Sequence, residues 1–194
     1  LSLTGYVDRQ CVCYRSGGQS GDLLYVSGTL GDAAAGLRAL NDQAALSQTD
    51  RQHLLRKFHR PEPRLALGQA LAATGAISAM MDLSDGLASD LRHICKSSGV
   101  GATITAPHIP LSGPFRHFCE ANNLDPIHLS LSGGEDYELL FAVKADRAKA
   151  VENLVSEGDF PRITCVGCLT ENKGPIQLSL ADGSSHPMTY RGFD

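Results

Sequence analysis

The chain has 194 residues, with 17 Lys plus Arg against 21 Asp plus Glu and a formal charge of −4. Hydrophobic residues make up 42% and charged residues 20%, a balance that excludes a disordered or fibrous chain and leaves ample length for a buried core. No block of like charge points to a nucleic acid or a membrane surface, and no apolar run approaches the ~20 residues that cross a bilayer.

The sequence starts at Leu1 rather than Met, with neither a basic head nor a long apolar stretch behind it. No signal peptide is expected, and the chain reads as a piece of something longer. Residues 1–14 alternate loosely and predict a strand entering from missing sequence. Residues 15–22 form a Gly/Ser loop and a possible domain joint. A short apolar strand over 23–26 leads into a helix from about 33 to 41, with Asp32 near its start as an N-cap would be. Further helices are predicted over 49–59, ended by Pro61 and Pro63, and over 64–73, ended by Gly75. A buried strand over 77–82 precedes a helix over 87–96 whose Leu87, Leu91, Ile94 and Cys95 share one face. The remaining expectations are a strand over 100–105, a helix over 113–122, a loop over 130–137, a strand over 138–143, a helix over 147–156, and strands over 163–169 and 176–180. Interspersed strands and helices without an internal repeat indicate helices packed on a mixed sheet, an α/β or α+β fold.

Six cysteines in 194 residues are too sparse for a secreted disulfide scaffold. Cys165-x-x-Cys168 has metal-like or redox-like spacing, and Cys11-x-Cys13 could complete such a site. Yet Cys11 and Cys13 alternate as strand residues do, and Cys165 falls in an apolar run. Reduced thiols in a cytoplasm are the default expectation. The seven His are scattered, with no His-x-x-x-His pair for a zinc site.

Two stretches concentrate acids and glycines at element junctions. In Asp82-Leu83-Ser84-Asp85-Gly86 a strand delivers two carboxylates to the opening of a helix. Such a pair can hold hydrated Mg²⁺ together with substrate phosphate oxygens, and N–H groups at the helix start can meet a phosphate. The alternative is that Ser84 or Asp85 simply caps the helix, worth about 0.5–2 kcal/mol; capping does not account for Asp82. The second stretch, Ser132-Gly133-Gly134-Glu135-Asp136-Tyr137-Glu138, lets the backbone approach a ligand closely, or is a turn whose acids face water. No Gly-x-x-x-x-Gly-Lys cradle occurs. Arg15, at the edge of the Gly/Ser loop, is either a phosphate clamp or a solvated charge.

Taken together, Asp82 to Leu87 and Leu131 to Leu139 resemble the two signature blocks of the thiamine-monophosphate kinase family, within the wider aminoimidazole-ribonucleotide-synthetase-like ATP enzymes. The likeness extends in order to Tyr14-Arg15-Ser16-Gly17, Tyr25-Val26-Ser27-Gly28, His59-Arg60-Pro61 and Tyr190-Arg191-Gly192-Phe193-Asp194. The resemblance implies the C-terminal domain of that fold, with helices on a mixed sheet. Residues 1–21 would be the last strand of the missing N-terminal domain plus a linker, and 22–194 the C-terminal α/β domain.

The resemblance further implies transfer of the ATP γ-phosphoryl group to thiamine monophosphate, with Mg²⁺ as cofactor and a homodimer for the full-length protein. Carried over residue by residue, Asp82 and Asp85 would bind Mg²⁺, Arg15 and Ser84 would contact ATP, and Glu135 and Tyr190 would line the thiamine pocket. No catalytic residue is assigned. The family's N-terminal Asp cluster and Gly-Gly-Asp segment are absent from this sequence, so these residues alone are expected to lack kinase activity. The rival readings are a sister enzyme of the superfamily, selenophosphate-synthetase-like or hydrogenase-maturation-like, and a non-catalytic binding module of the same fold.

Overall fold

A computed structural model describes residues 2, 4–41 and 46–188. Its centre is a seven-stranded mixed sheet built from β1 (Leu23–Ser27), β2 (Ile77–Asp82), β3 (Gly101–Thr105), β4 (Leu139–Val143), β5 (Ile163–Thr170), β6 (Gln177–Ser179) and β7 (Ser185–Pro187). Their spatial order is β2-β4-β1-β5-β3-β6-β7, antiparallel throughout except for the β3–β6 pair. The helices among the described residues are α1 (Asp32–Asn41), α2 (Gln48–His59), α3 (Leu65–Ala73), α4 (Leu87–Ser98), α5 (Gly113–Ala121), α6 (Pro126–Ser132) and α7 (Ala148–Glu157).

Side-chain alternation along the central strands sorts the core into two faces, since successive strand residues point to opposite sides. Leu24 and Val26 of β1, with Leu140 and Ala142 of β4, pack with Leu87, Leu91 and Ile94 of α4. Tyr25, Phe141 and Val143 pack the other way, with Leu67 and Leu71 of α3 and Val151 and Val155 of α7. The Tyr25 and Phe141 rings stack there with centroids 5.7 Å apart. Burial on both faces is why these strands read as unbroken apolar runs. A third cluster joins α1, α2, α5 and α6 through Ala35, Leu54, Phe115, Phe118 and Leu129.

Most expected elements are present, and three regions differ. Residues 4–14 form no strand; a 3-10 turn occupies Arg9–Cys11, with the Asp8 carboxylate accepting from Gln10 N at 3.0 Å. An Asx side chain that bonds its own backbone offers an alternative to a ladder. Only the Tyr14 carbonyl reaches the edge strand β2, accepting from Met80 N at 2.9 Å. Part of the expected 130–137 loop is helix α6, begun by Pro126 behind the N-cap Asp125, an arrangement proline favours at a first helical turn. Strand β7 lies in the stretch after 180, where no element was expected, and exists through its pairing with β6. Cys165 and Cys168 both lie within β5.

Candidate functional site

Strand β2 carries the chain to Asp82, its exposed last residue. The turn that follows hands over to α4 at Gly86, the N-cap, whose φ of 98° and ψ of 151° suit a residue without a Cβ. Neither Ser84 nor Asp85 caps the helix. Asp90, buried in the first turn of α4, reaches back instead and accepts from Ser84 N at 3.0 Å and Asp85 N at 3.1 Å. Those two N–H groups of the turn are thereby taken by a protein carboxylate. Burial pushes the Asp90 carboxyl above its ordinary range against the pull of these two bonds, and the charges of Asp85 and Asp82 add to the rise. The side chains of Ser84 and Asp85 are left facing outward, Ser84 half-buried and Asp85 exposed.

The second expected stretch lies directly against this turn. Glu135 N donates to Ser84 O at 2.8 Å, Tyr137 N to Leu83 O at 2.9 Å, and Leu83 N to Glu138 O at 2.8 Å, continuing the β2–β4 ladder past the ends of both strands. Gly134 permits the contact, because a Cβ there would stand 2.4 Å from Ser84 O. The close backbone approach seen at Gly134 is to the Ser84 carbonyl. Asp82, Ser84, Asp85 and Glu135 are collected on two adjoining backbone segments at one end of the sheet, with Glu135 exposed.

The loop is held by two inward acids. The Asp136 carboxylate accepts from Gly31 N at 2.7 Å and Ala33 N at 3.2 Å, so it caps α1 from 105 residues away. Burial pushes its carboxyl up to about 7, opposed by those two bonds and helped by Asp32 and Glu138. Asp32 does not cap its own helix; it bonds the hydroxyls of Thr29 at 2.6 Å and Ser112 at 2.5 Å and lies 3.5 Å from His53 Nε2. Glu138 is 1% exposed and serves several elements at once. It accepts from Ser27 Oγ at 2.6 Å at the end of β1, and from Arg64 Nε at 2.7 Å and Nη2 at 2.6 Å before α3, while Lys57 Nζ of α2 stands 3.6 Å away. A forked guanidinium–carboxylate pair is among the stronger side-chain contacts.

The sequence pattern gave none of Asp90, Arg64, Asp136 and Glu138 an anchoring role. The available signals were an acid in the first turn of α4 and a basic residue directly behind Pro61 and Pro63.

Arg15 is placed elsewhere. Ser98 Oγ, in the last residue of α4, donates to the Arg15 carbonyl at 3.4 Å, whereas Asp82, Ser84 and Asp85 adjoin that helix's first turn; twelve helical residues span about 18 Å. Tyr190 lies outside the described residues.

A largely apolar cavity of about 910 Å³ adjoins the acids, with Asp82, Tyr137, Arg64, Leu65, Met80 and Leu139 among its walls. Among the described residues no group of three or more His, Cys, Asp or Glu could hold a metal by itself. Two exposed carboxylates nonetheless fit Mg²⁺, a hard cation that keeps several waters and takes one or two carboxylates plus phosphate oxygens.

Comparison with known proteins follows the same lines. Residues 19–176 match the family model of the AIR synthase related protein, C-terminal domain. A thiamine-monophosphate kinase from Salmonella typhimurium (strain LT2) is 38% identical over 196 aligned residues, covering all of this chain and 58% of that protein. Among solved structures, thiamine-monophosphate kinase from Stenotrophomonas maltophilia K279a superposes with a TM-score of 0.80 at 35% identity, covering 93% of this chain and 56% of that one. AaThiL complexed with AMPPCP and TMP gives a TM-score of 0.77 at 32% identity, covering 93% and 53%. The chain thus spans a little over half the length of the relatives it matches, and it belongs to the AIR synthase related protein, C-terminal domain family.

Proposed function

We propose that this chain is the C-terminal part of a thiamine-monophosphate kinase, which moves the γ-phosphoryl group of ATP onto the phosphate of thiamine monophosphate to give thiamine diphosphate and ADP. The observation that carries this reading is the ladder joining Leu83 and Ser84 to Glu135–Glu138, which brings the Asp82–Gly86 turn and the Glu135 loop together. The relative complexed with AMPPCP and TMP supports the same pair of substrates. In the bond change, the bridge between the β- and γ-phosphorus of ATP breaks and a new P–O bond forms to the acceptor phosphate.

Asp82 and Asp85 hold Mg²⁺ in this reading, and the ion when bound neutralises and orients phosphate oxygens. The chain's own residues bind and position. The Ser84 hydroxyl donates to a phosphate oxygen, and Arg15 meets a part of the extended nucleotide remote from the acids. Glu135 faces the cationic, amino-bearing thiamine, and the apolar cavity beside Tyr137 gives its rings room; Tyr190 is assigned the stacking role. No general base is needed where positioning and charge neutralisation carry the reaction. The full-length protein is a cytoplasmic homodimer in this reading.

The test is thiamine diphosphate formation from ATP and thiamine monophosphate by the protein expressed from its whole open reading frame. Asp82→Asn is expected to lower kcat/KM on the order of a hundredfold. Glu135→Ala is expected to act mainly through KM for thiamine monophosphate. Turnover untouched by both substitutions would sink the proposal.

A further inference from the structure

A second pocket, of about 520 Å³, opens where β1 ends and β5 begins. Its walls include Gly28, Thr29, His108, Arg116, Arg162 and Thr164, contributed by the β1–α1 connection, the turn after β3, helix α5 and the start of β5. None of the acids of the proposed kinase site lines it, and in a chain of net charge −4 no Asp or Glu is among its lining residues.

Arg116 and Arg162 come from different elements and are both exposed. Neither guanidinium makes an ion pair or hydrogen bond with a described residue, in contrast to Arg64, which is engaged by Glu138 and Glu62. Two cations sharing one pocket repel each other, and an anion seated between them removes that repulsion. The planar fork of arginine matches phosphate oxygens in pairs.

A second, independent feature lies in the same wall. The Thr164 hydroxyl is buried and has no hydrogen-bond partner among the described residues, although buried polar groups are ordinarily satisfied. Thr29 differs, its hydroxyl being committed to Asp32 at 2.6 Å. The pocket's size falls within the range that small-molecule sites occupy.

We propose that this pocket is a phosphate site distinct from the Asp82–Asp85 acids. It takes a small molecule that presents a phosphate or diphosphate group to Arg116 and Arg162, with the Thr164 hydroxyl as a further donor. This proposal does not rest on the kinase reading. The experiment is titration calorimetry of the full chain with inorganic pyrophosphate in the presence of EDTA, which silences any binding that depends on a divalent cation. Saturable binding is expected, weakened about tenfold or more by Arg116→Ala and by Arg162→Ala, reduced by salt and unaffected by Asp82→Asn.

Thr164→Val separates a ligand role from a structural one. Removing an orphaned hydroxyl is expected to maintain or raise the melting temperature while weakening pyrophosphate binding. Absence of saturable binding would overturn the proposal, as would binding that survives both arginine substitutions or is lost with Asp82→Asn. A Thr164→Val protein that binds pyrophosphate as tightly as the parent removes Thr164 from the site.

Discussion

Alternation along four residues decides what each side chain of the Glu135–Glu138 segment can do. Asp136 and Glu138 turn inward and are anchored, while Glu135 and Tyr137 are displayed outward with φ of 67° and 49°. Positive φ is uncommon for residues with a Cβ and costs on the order of 1–3 kcal/mol where the surroundings enforce it. The anchors on either side supply that enforcement. Asp136 also makes stability depend on pH. Its carboxyl titrates near 7 in the folded protein against about 3.9 in an unfolded chain, so the folded state keeps the proton to higher pH. The contribution is then full below about pH 4 and is lost as the pH rises to about 7. The groups that face it are the Gly31 and Ala33 amides and Asp32 from α1, and Glu138, itself paired with Arg64, from its own segment. Asp136→Asn retains an acceptor for α1 and cannot ionise. In thermal melts at pH 4, 6 and 8 its stability relative to the parent is expected to improve with pH, by on the order of 4 kcal/mol across the range. A constant offset at all three values would refute the assignment.

At the scale of elements, the buried Glu138 carboxylate fastens β4 to the end of β1, to the connection before α3 and to α2. Glu138→Ala leaves the Arg64 side chain, only 11% exposed, without its buried partner and with the exposed Glu62 in its place. Removal of one member of such a pair is expected to cost about 3–5 kcal/mol, with Glu138→Gln losing less because it keeps shape and a hydrogen-bond acceptor. Urea unfolding at constant pH reads both, and a loss for Glu138→Ala below about 1 kcal/mol would reduce the pair to a surface-like contact. Glu138 was visible in the sequence as the end of the second acidic stretch and the start of a strand, but not as an anchor, because its partners at Ser27 and Arg64 lie 111 and 74 residues away. Elements themselves were more legible where local pattern and tertiary burial agree, as in α4, with one apolar stripe and a glycine at each end. Helix α6 escaped because its seven residues include three that read as loop (Pro126, Ser130 and Ser132), and burial of Leu129 and Leu131 outweighs that preference. Residues 4–14 erred in the opposite direction: their alternation is strand-like, but a strand also needs a partner along its length, and β2 donates a single bond, from Met80 N to the Tyr14 carbonyl.

Across the whole molecule, a sheet covered by helices on both faces and a third helical cluster beside it supply the burial expected of a cooperatively folding unit. The overall architecture and the two acid-bearing stretches were legible because strand-to-helix junctions announce themselves through Asp, Ser and Gly. The way the stretches meet was not, since it depends on backbone bonds between residues about fifty apart, as between Ser84 and Glu135. In the proposed reading the first stretch offers a cation two exposed carboxylates, Asp82 and Asp85, whereas phosphoryl transfer needs the nucleotide, the acceptor and their metal ions all held in line. The proposed reading therefore divides the metal and substrate contacts between this chain and the further residues its longer relatives carry. These 194 residues alone are expected to form no thiamine diphosphate above a no-enzyme control when incubated with ATP, thiamine monophosphate and Mg²⁺. A cooperative melt in the same buffer, followed by circular dichroism, separates a folded but incomplete site from a chain that has not folded. Product formation by this chain would show that the contacts described at Asp82–Gly86 and Glu135 are sufficient, and the division of the site would have to be abandoned.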